Sequence, residues 1–511
     1  MKNIKSWSLL ETDNNNKYFY DGRVKRTQLC HPLLFHLLKL SSGGRDVKSW
    51  IENLEDTAVE IAGAGRFSKE EIQYYYQKYL ILKENGHFTE IDQKEKLGGV
   101  IEPETIERNL ANSKQVVFEV TDSCNLDCRY CGYGEFYSDY DRRGNKKLDI
   151  RSAKQLLNYL AELWNSSLNH SRDRTIFISF YGGEPLLNFP FIKAIVETIE
   201  QFSSRHNRFA FSMTTNALLL EKYMDFLVEK NFKLLLSLDG NEKNNVYRTF
   251  KNGKPAYKSI LRNVKALQKK YPDYFRRHVN FNAVLHNKNS VSDIYHYFKT
   301  RFGKIPTIGE LNTNGIKESQ KEEFREAYAN VYESLHQSED YRPIEKDMFI
   351  KLPEASAVLQ FLHFNNDFCF TNYNGLLYFN SDVKHVPTGT CSPFSKKIYI
   401  TVNGKLLPCE RIGQQFGLGY ITPEGVELDY AKIADKYNAY FDKLRKQCSV
   451  CRNTNACIQC IFNLDSIDDK KTVCYGLMTE KNYARRLSST IGYIEEHPEI
   501  YSKILRKVTV D

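Results

Sequence analysis

The chain has 511 residues, 41% of them hydrophobic and 26% charged, with a formal net charge of +9; it is long enough for several cores and too apolar for a disordered chain. That charge is small for the length and spread over Lys-rich helix faces, which argues against nucleic acid as a partner, and no run of about 18 apolar residues exists to span a membrane. Twelve cysteines, behind an N-terminus (Met1-Lys2-Asn3-Ile4-Lys5) without an apolar signal core, point to the cytoplasm and to metal or redox chemistry rather than disulfides.

Residues 1–100 read as a separate module. Lys17-Tyr18-Phe19-Tyr20-Asp21-Gly22 predicts a strand entering a turn, and 32–40 an apolar helix closed by Ser41-Ser42-Gly43-Gly44. Ser68-Lys69-Glu70-Glu71 is a capping-box start for a helix that stops at Gly86. Two helices followed by a strand-like His87-Phe88-Thr89 suggest a winged-helix-like order. Cys30 reads as a buried thiol, and the polar stretch 95–113 as a connector.

From Lys114 onward, strands alternate with amphipathic helices, which predicts a parallel α/β sheet or barrel. Strands are expected at 116–120, 175–181, 209–215, 234–239, 279–285 and near 307–311. Six strands make a partial barrel over 114–311, with chemistry at their carboxyl ends. The first strand runs into Thr121-Asp122-Ser123-Cys124-Asn125-Leu126-Asp127-Cys128-Arg129-Tyr130-Cys131. Three thiolates at this C-x3-C-x2-C spacing can hold three corners of a 4Fe–4S cube and leave the fourth iron open. A zinc knuckle would want a fourth Cys or His close by. After the second strand, Gly182-Gly183 would let a ligand approach the backbone, with Glu184 placed to accept hydrogen bonds from an ammonium group. Thr214-Thr215-Asn216 and Ser237-Leu238-Asp239-Gly240 end the third and fourth strands, where polar residues are also ordinary turn formers.

Residues 312–390 read as a bridge or insertion, with a helix over 322–338, another around 358–364, a strand-like aromatic patch at 373–379, and Cys369. The segment 391–478 holds the most specific pattern. Cys391, Gly404 and Cys409 give C-x12-G-x4-C; Cys448, Cys451, Cys457 and Cys460 give C-x2-C-x5-C-x2-C, followed by Cys474. Zinc shares these spacings. Glu410 follows Cys409 and is either a proton acceptor or the partner of Arg411 or another neighbouring cation. The tail 479–511 reads as amphipathic helix.

The triplet, with aromatic Tyr130 before its third cysteine, resembles the radical S-adenosylmethionine enzymes, and the second cysteine field resembles their SPASM extension, as found in maturases of ribosomally made peptides. The resemblance implies an α/β, partial (β/α)6 barrel with an N-terminal winged-helix-like module and a C-terminal cysteine-rich iron–sulfur domain. It implies that Cys124, Cys128 and Cys131 hold a 4Fe–4S cluster that binds S-adenosylmethionine, whose reductive cleavage yields a 5′-deoxyadenosyl radical. Tyr130, Gly182, Gly183, Thr214, Asn216, Ser237 and Asp239 would line the cofactor site, Glu184 would hold its amino group, and Arg248 would meet its carboxylate. Two auxiliary 4Fe–4S clusters are implied: Cys391, Cys409 and Cys460 for one, with an open iron or Cys369, and Cys448, Cys451, Cys457 and Cys474 for the other. The family has x3 before its sixth cysteine where this chain has Ile458-Gln459, which leaves the ligand partition open. In sulfatase-maturing relatives, the position of Glu410 carries a base. The implied partners are a precursor peptide, whose leader the N-terminal module would capture as an added strand, and an electron donor such as flavodoxin or ferredoxin. Anaerobic sulfatase maturation and a zinc-stapled, non-catalytic binding protein are the competing readings.

Overall fold

In the computed structural model the described residues are 4–54, 57–91, 97–138, 141, 144–171, 173–202, 207–365, 386–464, 467–469 and 472–507. Cys369, the patch at 373–379 and the Arg142-Arg143 pair lie outside them.

The N-terminal unit begins with β1 (Ile4–Lys5), then β2 (Trp7–Glu11), β3 (Lys17–Asp21) and β4 (Arg26–Leu29), the last three forming an antiparallel sheet in that order. Helices α1 (Pro32–Ser42) and α2 (Val47–Glu52), the hairpin β5 (Ala58–Ile61) and β6 (Gly65–Ser68), α3 (Lys69–Glu84) and β7 (Glu90–Ile91) follow. The capping box of α3 forms as its sequence requires, with Ser68 and Glu71 bonding reciprocally. The element order differs from helix–helix–wing: a hairpin separates α2 from α3, and His87–Thr89 is not a strand. Phe88 is left-handed at φ 68, which breaks extended pairing there, and it is β7 that pairs with β1.

The expected connector is instead core. Helix α4 (Pro103–Ala111) buries Ile106, Leu110 and Ala111, because its apolar residues recur at helical spacing among the charges. Then come β8 (Gln115–Glu119), α5 (Ile150–Trp164), β9 (Thr175–Tyr181), α6 (Phe189–Glu200), β10 (Arg208–Thr215), α7 (Leu220–Glu229), β11 (Lys233–Ser237), α8 (Tyr257–Lys270), α9 (Pro272–His278), β12 (Val279–Val284), α10 (Val291–Phe302) and β13 (Thr307–Gly309). Strands β8 to β13 are parallel neighbours in sequence order. Period-two alternation sorts their side chains. Phe118, Ile178, Phe211, Leu236 and Phe281 are buried in the apolar core, while Gln115, Ser179, Ser212, Thr214 and Asn280 line the concave side.

The expected single helix over 322–338 is two, α11 (Lys321–Ala327) and α12 (Val331–His336). Tyr328 turns extended and Asn330 caps the new start by accepting from Glu333 N. After α13 (Tyr341–Met348) and α14 (Pro353–Phe364), strand β14 (Ile398–Ile400) pairs parallel with β8. Strands β15 (Lys405–Leu407), β16 (Gly419–Ile421) and β17 (Val426–Glu427) extend the sheet antiparallel. The cysteine-rich segment therefore continues the barrel sheet, ten strands in all among the described residues, rather than standing apart from it. Helix α15 (Tyr430–Cys448) packs on α4, and the tail splits at Pro498 into α16 (Glu480–Glu496) and α17 (Glu499–Lys507). Helix α16 lies against β2, so that Leu10 and Tyr20 share a core with Tyr483, Leu487 and Ile491. No helix among the described residues is long and apolar enough to cross a membrane.

Candidate functional site

The cysteine triplet occupies the loop leaving the carboxyl end of β8, and none of its three members is in a disulfide among the described residues. Turns fold the loop back on itself: Cys131 N donates to Cys128 O at 3.1 Å and Leu126 N to the Cys124 sulfur at 3.4 Å. Burial pushes the Cys128 thiol up to about 12; Arg248 lowers it, and the nearby Cys131, Cys124 and Asp239 raise it further. The three sulfurs thus share one electrostatic neighbourhood in which thiolates need an added positive charge. Among the described residues no three ligating groups converge closely enough for a single metal ion; a cubane spreads its ligands over several irons and asks for wider separation. A soft, three-sulfur donor set fits a 4Fe–4S cluster whose fourth iron is left to an outside ligand.

The cysteine loop requires small residues at 182 and 183. A Cβ on Gly182 would stand 2.3 Å from Thr121 O, and one on Gly183 2.0 Å from Ser123 O. Gly182 also sits at φ 131, a conformation that favours glycine. What approaches this backbone so closely is the cysteine loop itself, held by Gly183 N to Thr121 O and Glu184 N to Ser123 O, both 2.8 Å.

Glu184 is wholly buried. Its carboxylate accepts from Thr215 Oγ1 at 2.7 Å, Asn216 N at 2.8 Å and Leu186 N at 3.1 Å. Burial nevertheless dominates these bonds and pushes its pKa up to about 7. Asn216 then reaches the triplet, donating from Nδ2 to Asn125 Oδ1 at 2.7 Å and toward the Cys124 sulfur at 3.7 Å. Thr215, absent from the sequence-derived site, is the residue that holds Glu184; Thr214, one step along and on the other face of β10, lines the cavity. Period two alone could have told the two apart.

Arg248 is paired within the chain. Its Nε and Nη2 donate to the two oxygens of Asp239 at 3.0 Å each, in a bidentate pair with Asp239 fully buried. The Tyr130 hydroxyl also donates to Asp239, and Val284 N donates to it at 2.9 Å. The Arg248 guanidinium stands 5.3 Å from the Tyr130 ring centroid, and His286 stacks with the same ring at 5.9 Å. One guanidinium edge, Nε and Nη2, is engaged by a carboxylate of the chain itself, so the Arg248–Asp239–Tyr130 group acts as a brace that ties the third-cysteine arm of the loop to the fourth strand. Ser237 ends β11 in register with Asn282.

Inside the barrel lies a cavity of about 720 Å³, lined by Ser179, Tyr181, Ser212, Thr214, Lys397 and Glu410 among others. Gln115 Nε2 donates to Ser179 Oγ at 2.8 Å, and the Ser179 and Ser212 hydroxyls meet at 2.6 Å. Glu410 has found Lys397, whose ammonium contacts its two oxygens at 3.0 and 2.9 Å. Burial pushes Glu410 up, but the Lys397 charge and hydrogen bonds outweigh it and leave its pKa below the usual carboxylate range.

The seven C-terminal thiols fall into two electrostatic groups. The Tyr437 hydroxyl, fully buried and with no hydrogen-bond partner among the described residues, is pushed well up by burial and then by Cys460, Cys391 and Cys409. Cys448 is raised to about 12 by burial and then by Cys457, Cys451 and Cys474. Thr390, beside Cys391, accepts from Ile461 N at 2.9 Å, which joins the Cys391 and Cys460 loops. The donor sets fit two iron–sulfur groups, one with three cysteines and an orphaned phenol beside it and one with four. Outside both, Arg452 donates to Trp7 O and Ser8 Oγ at 3.0 Å and pairs with Glu480 at 2.6 Å, bolting β2 onto the Cys451 loop.

Residues 118–300 match the Radical SAM superfamily. The chain is 36% identical over 156 residues to an uncharacterized protein, MJ0907, of Methanocaldococcus jannaschii, covering 30% of this chain and 49% of that one. It is 22% identical over 233 residues to the radical SAM cyclopropyl synthase TigE of Paramaledivibacter caminithermalis, covering 43% and 46%. It is 28% identical over 169 residues to a serine-type anaerobic sulfatase-maturating enzyme of Klebsiella aerogenes, covering 32% and 38%. The matches thus span about half or less of these curated relatives. Among solved structures, native anSMEcpe with bound AdoMet and Cp18Cys peptide aligns over 77% of this chain and 99% of that one, at 20% identity and a TM-score of 0.47.

Proposed function

From a chain that carries a radical SAM domain across residues 118–300, we propose an enzyme that modifies a ribosomally made precursor peptide, installing a thioether, carbon–carbon or carbon–oxygen crosslink or another oxidative change. The family implies a 4Fe–4S cluster and S-adenosylmethionine, which when bound supply a carbon radical able to take a hydrogen atom from the substrate. Cys124, Cys128 and Cys131 would hold the cluster, and Glu184 would receive the amino group of S-adenosylmethionine. The observation that carries the peptide reading is the cavity: about 720 Å³ is room for several residues of chain. Its walls run from Tyr181 and Thr214, at the strand ends nearest the triplet, to Glu410, next to Cys409 of the second cysteine field. A substrate threaded there would have a radical source at one end and an electron sink at the other. Auxiliary clusters on Cys391, Cys409 and Cys460 and on Cys448, Cys451, Cys457 and Cys474 would take the electron left by substrate oxidation.

The remaining roles belong to this chain's own groups. Glu410 is a weak base while Lys397 grips it; a substrate that drew Lys397 away would raise its pKa toward one suited to accept a proton. The leader of the precursor would add to the outer edge of β4, which pairs only with β3 among the described strands and leaves Leu29 71% exposed. The similarity to TigE, a radical SAM cyclopropyl synthase, supports carbon–carbon bond formation. The similarity to a sulfatase-maturating enzyme supports the second reading, formylglycine formation.

The test is anaerobic reconstitution, iron and sulfide analysis, and assay of 5′-deoxyadenosine with S-adenosylmethionine and a reductant, followed by mass analysis of short peptides encoded beside the gene. Brown protein, deoxyadenosine and a peptide that loses hydrogen support the proposal. An aldehyde made only on a sulfatase-derived peptide would move the assignment to the second reading, and a colourless zinc protein would end both.

A further inference from the structure

The carboxyl ends of the strands carry the triplet, the Glu184 carboxyl and the Asp239–Arg248 pair. At the opposite, amino-terminal mouth the lining is cationic, with Lys233 opening β11, Arg277 and His278 preceding β12, and Lys299 and Lys304 at the close of α10 and just past it. Two of the cations in this wall are already neutralised: Lys299 by Asp347 at 2.6 Å and Lys397 by Glu410 at 2.9 Å. Lys233, Arg277 and Lys304 meet no carboxylate among the described residues. Lys233 Nζ lies 4.6 Å from the centroid of the Phe177 ring, and Lys304 Nζ donates to Arg276 O at 2.6 Å. Lys233 and Arg277 are solvent-exposed and Lys304 is half-buried. Three uncompensated cations around one mouth repel one another, and an anion seated among them relieves that repulsion.

We propose that this mouth is a substrate subsite for a carboxylate, held by Lys233, Arg277 and Lys304. The inference rests on the peptide-modifying reading and deepens it: the substrate carries an acidic side chain or its own free C-terminus at a set distance from the residue modified. The lowered pKa of His278, from burial and then from Arg277 and Lys233, and of Lys304, from burial and then Arg276, agree with an unbalanced positive field. Strand length sets the spacing. The five residues of β11 rise about 17 Å at about 3.3 Å each, so an extended peptide would place its carboxylate about five residues from the position facing the cofactor end.

Binding of three N-acetylated tetrapeptides to the reconstituted holoenzyme tests this by calorimetry. One carries a single glutamate, one is its glutamine counterpart with a free C-terminal carboxylate, and one is the fully neutral glutamine amide. At least one acidic probe should bind about tenfold tighter than the neutral one, or about 1.4 kcal/mol, and whichever does identifies the source of the carboxylate. That advantage should vanish in both Arg277→Gln and the Lys233→Gln/Lys304→Gln double variant. Equal binding of all three probes, an advantage that survives charge removal, or no binding by any probe at millimolar concentration would overturn the subsite. Deoxyadenosine formation by the unmodified enzyme is read separately, so that failure of the radical reading shows as absent cofactor cleavage whatever the peptides do.

Discussion

The protonation of Glu184 offers the sharpest test of the cofactor site. The carboxyl group is wholly buried, and burial outweighs its three hydrogen bonds, so that its pKa rises from 4.5 to about 7. An ammonium group docking there needs the charged form, so below about pH 7 binding must first expel a proton. The apparent affinity is weakened by about elevenfold at pH 6 and about twofold at pH 7, which makes S-adenosylmethionine bind about fivefold tighter at pH 7 than at pH 6. Over this range the amino group of the ligand stays protonated, its ordinary pKa lying near 7.7–8.0. Stability carries the opposite sign. With the folded pKa raised, the contribution of Glu184 to the cofactor-free protein is fully present below pH 4.5 and is lost, by about 3 kcal/mol, as pH rises to about 7. Titration calorimetry at pH 6 in two buffers of different ionisation enthalpy should detect release of close to one proton per ligand. In Glu184→Gln the affinity should fall and the release should disappear. A flat pH profile in the unaltered protein, or the same slope in the glutamine variant, would refute the assignment.

Replacing Cys124, Cys128 and Cys131 together with Ala should abolish deoxyadenosine formation and remove about a third of the iron, one cluster of three; retained cleavage would end the radical reading. Gly183→Ala should cost most of the first cluster, read as iron content and cleavage rate, because the new Cβ would stand 2.0 Å from Ser123 O. Gly309→Ala, which meets nothing within 4 Å, should leave both unchanged, and equal behaviour of the two variants would discredit the close-packing explanation. Arg452→Met should loosen β2 from the Cys451 loop by about 2 kcal/mol, discounted for the half-exposed Glu480 partner. Amide exchange of Trp7–Glu11 should then speed by about thirtyfold, and unchanged protection would show that apolar packing alone holds the sheet. Because Leu10 and Tyr20 share a core with α16, cutting away residues 1–90 would confound leader binding with lost stability. Leu29→Lys on the β4 edge is the cleaner variant: it should weaken binding of full-length precursor but not of precursor with its leader removed, and equal binding would place the leader elsewhere.

Local sequence pattern determined the barrel. Apolar alternation and helix periodicity from residue 114 onward marked all six parallel strands to within about two residues, because a strand buried on one face and polar on the other writes period two into the chain. Cysteine spacing likewise marked the triplet, since a loop that wraps one cluster must bring its sulfurs together over a few residues. Tertiary structure decided which polar group meets which, and those choices are made between elements far apart in the chain. Glu184 is held from β10, Glu410 by Lys397 from the approach to β14, and Arg248 by Asp239 from the end of β11. The paired glycines yield to the cysteine loop from the preceding strand. The cationic mouth is scattered along the sequence as Lys233, Arg277 and Lys304, and becomes one site only because parallel strands bring all their amino-terminal ends to one rim. No local period records that juxtaposition; the register of the parallel sheet creates it.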